Sequence, residues 1–110
     1  MPDRDSLEAK LQDATAATGT FVAVLEAEGF SAWAERFKGI QAALEASDTK
    51  TALHLFRNTR HAGMGSLSDV MVENQARFDQ SWGKCGRAMD NLRVFLEYGI
   101  DRAPIRGGDA

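Results

Sequence analysis

The chain has 110 residues, 44% of them hydrophobic and 26% charged, with a formal net charge of −3. That is the size and make-up of one globular domain, and the acidic balance argues against a general binder of phosphate backbones. One cysteine, Cys85, excludes an intrachain disulfide scaffold and makes the cytoplasm the expected compartment. The N-terminal decapeptide is too charged for a signal-peptide core, and the longest purely apolar run, Phe21-Val22-Ala23-Val24-Leu25, is too short to span a membrane. Charge is uneven along the chain. Residues 1–48 carry nine acidic against four basic side chains, and residues 49–110 nine basic against seven acidic. Such a split is of the kind that draws two halves of one domain together.

Pro2 and Pro104 are the only prolines, so nearly everything between them is free to be helical. Leu7, Leu11, Ala14, Thr18, Phe21 or Val22, and Leu25 recur at steps of three and four, which predicts a long first helix with one apolar stripe. Asp5 and Glu8 are candidates for its cap and Gly29 for its end. A second helix is expected from an N-cap at Ser31, burying Trp33, Phe37, Ile40 and Leu44, with Ser47-Asp48 as both stop and next start. The third, over residues 49–60, turns Leu53 and Phe56 inward, with Ala52 beside them, and leaves Lys50, Arg57 and Arg60 in water.

The segment His61-Ala62-Gly63-Met64-Gly65-Ser66-Leu67-Ser68-Asp69 asks for more than a helix. Gly63 and Gly65 tolerate positive φ, and Ser66 with Asp69 has the spacing of a reciprocal helix cap. A break is expected near residues 73–75. Phe78, Trp82, Cys85, Met89, Leu92 and Leu96 then resume the helical rhythm to about Gly99, and residues 104–110 read as a flexible tail. Gly83 and Gly86 inside this last helix each cost about 1 kcal/mol relative to alanine and so require a reason. Close helix packing is the plain one, with Gly19 and Gly39 as facing small residues and Trp82 filling the space alongside. A ligand-gated kink is the sharper one.

The expected fold is therefore all-α: a single domain over residues 1–103, a bundle of four or five helices with the long first and last helices antiparallel and the short middle ones closing the side.

No reaction is named by the residue pattern. His54 and His61 lie two helical turns apart, which does not suit chelation from one helix, and no metal or other cofactor is expected. Ser66, His61 and Asp69 contain the residue types of a hydrolytic triad, yet the cap uses the same oxygens. Cys85 falls on the apolar stripe and reads as a core residue. A helix-turn-helix is disfavoured because the turn is too long and Asp69 and Glu73 would meet phosphates. Anion binding is the best small-molecule idea. Arg57, Arg60 and His61 precede a turn in which Gly63, Gly65 and Ser66 can present backbone N–H groups, although Asp69 opposes an anion. Partner binding suits the apolar surplus better. Leu92, Val94, Phe95, Leu96, Tyr98 and Ile100 make an arc wider than one packing face, so Phe95, Tyr98 and Met64 are candidate anchors for a second copy or another protein unless the first helix covers them.

The segment Gly63-Met64-Gly65-Ser66-Leu67-Ser68-Asp69-Val70, together with Trp33-Ala34-Glu35-Arg36-Phe37, Leu44-Glu45-Ala46-Ser47-Asp48 and the pair Leu53 and Phe56, resembles a family of small uncharacterised bacterial helical proteins marked by Gly-Met-Gly-Ser-Leu/Phe-Asn-Asp. The likeness covers residues 30–72, and Ser68 stands where that family favours Asn. It implies a bacterial source and a structural role for the turn. Compact proteins of this kind are associated with toxins as immunity or accessory partners. The expectation is an intracellular interaction protein, not an enzyme: an immunity or antitoxin-type protein, or a small homodimeric regulator, with Glu26, Glu28 and Glu35 facing a basic partner site. The alternative is a small anionic-ligand-binding or enzymatic domain built on the turn at residues 63–69.

Overall fold

The computed structural model describes residues 2–61 and 74–100, with side chains from Leu7 to Thr59 and from Asn74 to Ile100. Four α-helices follow one another: α1 (Pro2–Ala27), α2 (Ser31–Glu45), α3 (Thr49–His61) and α4 (Gln75–Tyr98). There is no strand among the described residues. The chain is an all-α bundle, and α1 and α4 are antiparallel: Thr18 meets Cys85, and the Lys10 ammonium lies over the Phe95 ring, 5.8 Å from its centroid. Gly63, Met64, Gly65, Ser66 and Asp69, where a turn was expected, and residues 104–110, expected as a tail, lie outside the described residues.

Each junction has a local cause. Gly29 takes φ +84° and donates its N–H to Glu26 O, while Phe30 N–H reaches back to Leu25 O at 2.9 Å, which closes the C-terminus of α1 as a Schellman motif. Ser47 does the same for α2 at φ +60°, with Asp48 N–H donating to Ala43 O at 2.8 Å. The Asp48 carboxylate then accepts from Thr51 N–H and begins α3. At α4 the N-cap is Asn74, whose side-chain oxygen accepts from Arg77 N–H at 3.0 Å, so a helix does begin at the expected break.

Two sequence-based boundaries move. Pro2 is already helical, as proline is at a first turn, so Asp5 lies within α1 rather than capping it. Ser31 is the first helical residue of α2, and the N-cap is Phe30, which supplies no side-chain oxygen. The Schellman turn fixes the chain there and leads straight into α2, so a serine cap is not needed.

α1 is the central element, packing on α2 along one side and on α4 along another; α2 carries α3, and α3 touches α4 only sparingly. The core gathers one aromatic ring from each helix: Phe21, Phe37, Phe56 and Trp82. Phe21 and Phe37 meet edge-to-face at 5.0 Å, Phe37 and Trp82 at 6.1 Å, and Phe56 lies 5.9 Å from Trp82. Phe78 joins Phe21 at 5.5 Å. Such pairs contribute about 0.5–1.5 kcal/mol each beyond their buried area. Ala34, Phe37, Ile40 and Leu44 form the buried stripe of α2. Trp33 stands at its edge, half-buried, with the Arg36 guanidinium stacked 4.9 Å from its ring. Among the described residues every buried side-chain nitrogen and oxygen has a hydrogen-bond partner.

α4 is continuous through Gly83 and Gly86, so neither marks a break. Nor do they mark close packing. A Cβ at Gly39, Gly83 or Gly86 would meet nothing within 4 Å, whereas one at Gly19 would come within 2.9 Å of Gln41 Nε2. At Gly19 the neighbour is the end of the Gln41 side chain on α2, and Trp82 lies in the aromatic core rather than beside a glycine contact.

Candidate functional site

Because α3 rides on α2 and barely reaches α4, the described residues leave a groove of about 580 Å³ between α3 and α4. Leu53, Phe56 and Met89 form its floor. Lys50, His54 and Arg57 line the α3 bank at spacings of four and three, so all three project from one face. Asp90, Arg93 and Glu97 line the α4 bank. α3 contains no acidic residue at all. The carboxylates opposite are held by their own helix: Arg93 Nη2 meets Asp90 Oδ1 at 2.8 Å, and Nη1 meets Glu97 Oε2 at 3.0 Å. This paired environment holds the Arg93 guanidinium above its ordinary pKa, chiefly through the Asp90 hydrogen bond. Lys50 and Arg57 form no ion pair among the described residues, and His54 Nε2 lies 3.3 Å from Asn58 Nδ2.

The apolar stripe of α4 runs on past this groove. Leu92 and Val94 are buried, and Phe95 is half-covered beneath Lys10. Leu96, Tyr98 and Ile100 remain 41%, 67% and 48% exposed, the only large hydrophobics so open among the described residues. α1 therefore covers part of the surplus arc and leaves the rest uncovered. Leu96 stands seven residues after Met89, two turns along the same face, so it extends the groove floor towards the end of the bundle.

The acidic residues expected at a partner surface sit elsewhere. Glu26 and Glu35 converge on the Lys38 ammonium at 3.0 and 2.9 Å, which raises the Lys38 pKa through the Glu35 and then the Glu26 hydrogen bond. Glu28 Oε2 accepts from Asn74 N–H at 3.1 Å. Glu26 and Glu35 are thus joined through Lys38 between α1 and α2, and Glu28 stands at the N-terminal end of α4. Phe95 and Tyr98 lie at its other end, about 36 Å away along a helix of 24 residues. The two groups do not form one surface.

Of the anion-site candidates, Arg57 lines the groove. Arg60 and His61 lie in the last turn of α3 with side chains outside the described residues, as are Gly63, Gly65 and Ser66. The residues that sequence reasoning did not assign to a site are Lys50, Leu53, His54, Met89 and Arg93. A signal existed: α3 is a helix without a carboxylate in which Lys50, His54 and Arg57 repeat at four and three.

Among the described residues no three His, Cys, Asp or Glu side chains gather as metal ligands, and no helix is long and apolar enough to cross a membrane. Cys85 is fully buried against Thr18 Oγ1 at 3.6 Å, and burial pushes its thiol up to about 11. The fold and site together define a small helical bundle with an open, cation-edged seam and an uncovered apolar end. Comparison with family models, curated proteins and solved structures gives no match.

Proposed function

We propose that the chain is a protein-interaction module that binds through the C-terminal end of α4. The observation that carries this reading is the exposure of Leu96, Tyr98 and Ile100, three large hydrophobic side chains within five residues at the end of a helix whose Leu92 and Val94 are otherwise well covered. An aromatic and two aliphatic side chains grouped this way, bordered by Arg93 and Glu97, have the make-up of an interface anchor with a polar rim. The partner is another protein or a second copy. In the finer form of the reading the protein is bacterial and cytoplasmic, and acts as an immunity protein or a homodimeric regulator. Glu26, Glu28 and Glu35 would then make a second contact away from the end of α4, sharing their carboxylates with Lys38 and Asn74.

Capture of the tagged chain at near-native expression, paired with sedimentation of the purified protein, tests this. A single stoichiometric partner or a dimer is expected, lost in a Leu96→Glu, Tyr98→Glu variant whose helicity is unchanged. A monomer that recovers no partner would sink the reading.

A small anionic ligand is the second reading. It is favoured by Lys50 and Arg57, which stand over the groove without an acidic partner among the described residues. Thermal shift against phosphates, nucleotides and small carboxylates tests it, with a rise in melting point that disappears in Arg57→Ala.

A further inference from the structure

The open seam has a length, a charge pattern and a direction that together specify an occupant. α1 contacts α2 and α4, and α2 carries α3, but among the described residues α3 meets α4 only sparingly. Leu53, Phe56 and Met89 make an apolar strip along the seam, prolonged by the exposed Leu96. Beside it Lys50, His54 and Arg57 form a row about 10 Å long, at the same four-three spacing that a second helix would show on its own flank. Each of the three side chains is exposed.

We propose that the α3–α4 groove receives an acidic amphipathic helix of a partner protein, laid along the seam as the missing member of the bundle. This rests on the reading of the chain as an interaction module and names the chemistry of what that module binds. The apolar face of the helix packs on Leu53, Phe56 and Met89, and Glu or Asp residues at positions i, i+4 and i+7 meet Lys50, His54 and Arg57.

Charge complementarity selects this occupant. Arg93 is shared between Asp90 and Glu97 on α4, whereas Lys50 and Arg57 on α3 have no acidic residue on their own helix, so the positive charge that lines the groove is gathered along the α3 bank. A single small anion would meet one or two of the cations and leave the apolar strip wet. A nucleic-acid backbone would meet the row but would also lie against Asp90 and Glu97 and over an aliphatic floor, with no exposed aromatic ring in the groove on which bases could stack.

The test uses the full chain and a labelled synthetic peptide of about 18 residues, long enough to be helical, with leucines on one face flanked by glutamates. Fluorescence anisotropy is measured against this peptide, its lysine-flanked counterpart and single-stranded oligothymidylate. Binding of the acidic helix is expected to weaken about tenfold or more in Lys50→Glu, Arg57→Glu, and the same variant should gain affinity for the lysine-flanked helix. Both substitutions are at exposed positions, and circular dichroism verifies that the fold is retained. Amide shifts on binding should map to Leu53, Phe56 and Met89. Equal affinity for both helices, no loss in the charge-reversed variant, or preferential binding of the oligonucleotide overturns the inference. If the acidic helix fails to bind while a partner is still captured and lost on Tyr98→Glu, the groove inference falls and the interaction-module reading stands; if no partner is captured either, both fall.

Discussion

Glu28, at the end of α1, accepts a hydrogen bond from the backbone N–H of Asn74, 46 residues later, at 3.1 Å. The bond fastens the C-terminus of the first helix to the N-cap of the last. It also places a carboxylate at the positive end of the α4 dipole, where a negative charge is favourable. A side chain that sequence alone offers to a partner is in this way engaged within the monomer.

The first expected outcome concerns this junction. Asn74 caps Arg77 N–H with its side chain, so Asn74→Ala should lower stability by about 1 kcal/mol. Glu28→Ala should cost less, about 0.3–1 kcal/mol, and its effect should shrink as salt is raised. Urea denaturation of both variants at low and high ionic strength measures this; a salt-independent loss for Glu28→Ala would contradict the dipole argument.

Gly83 and Gly86 occupy helix interior with room for a methyl group. Replacing either by alanine should therefore raise stability by about 1 kcal/mol, because the backbone entropy penalty disappears and no contact is strained. Gly19→Ala should gain less, since its Cβ would come within 2.9 Å of Gln41 Nε2 and the end of that side chain must move aside. Thermal melts of the three single variants, compared under one buffer, decide it.

Ser47 and Gly29 hold equivalent left-handed positions at the ends of α2 and α1. A non-glycine residue there carries a steric cost of about 1–2 kcal/mol, so Gly29→Ala should be destabilising by roughly that amount. Ser47→Gly should be stabilising, by less, because the added glycine also loosens the unfolded chain. A destabilised Ser47→Gly would show that the Ser47 side chain contributes a contact of its own.

Cys85 gives the chain an alkaline limit. Burial favours the neutral thiol, and the Thr18 hydroxyl beside it pulls the pKa only partly back, so the folded value stands at about 11 against 9.0 for the free group. Because the folded-state pKa is raised, the contribution is intact below about pH 9 and is lost as pH climbs towards 11, by about 3 kcal/mol in all. Folding free energies at about pH 8 and about pH 10.5 should fall more steeply for the native chain than for Cys85→Ala, the difference in slope isolating the thiol from other alkaline titrations. Parallel slopes would refute the linkage.

Much of the helical layout was legible because it is written locally. Phe37, Ile40 and Leu44 mark one face of α2 by spacing alone, and Gly29 announces a chain reversal by its lack of a Cβ; on α3, where Leu53 and Phe56 read as the inward pair with Ala52 beside them, Ala52 and Phe56 are buried and Leu53 is half-buried at the groove. The candidate site was less so. Lys50 and Arg57 were readable as solvated cations, but whether an acid from another helix would neutralise them depends on how far α4 stands from α3. Phe95 and Tyr98 looked equivalent in the sequence; one lies under Lys10 and the other faces water.

By itself the amino-acid order determined that this protein is all-α, where its helices turn, and which face of each is apolar, because those properties follow from periodicity and capping within a few residues. Only the tertiary structure decided which faces meet: that Phe21, Phe37, Phe56 and Trp82 share one core, that Gly83 and Gly86 pack against nothing, that Glu28 closes on Asn74, and that the α3–α4 seam stays open. The reason is that a helix fixes the direction of its side chains, whereas the distance and angle between two helices are set by all the side chains packed between them at once.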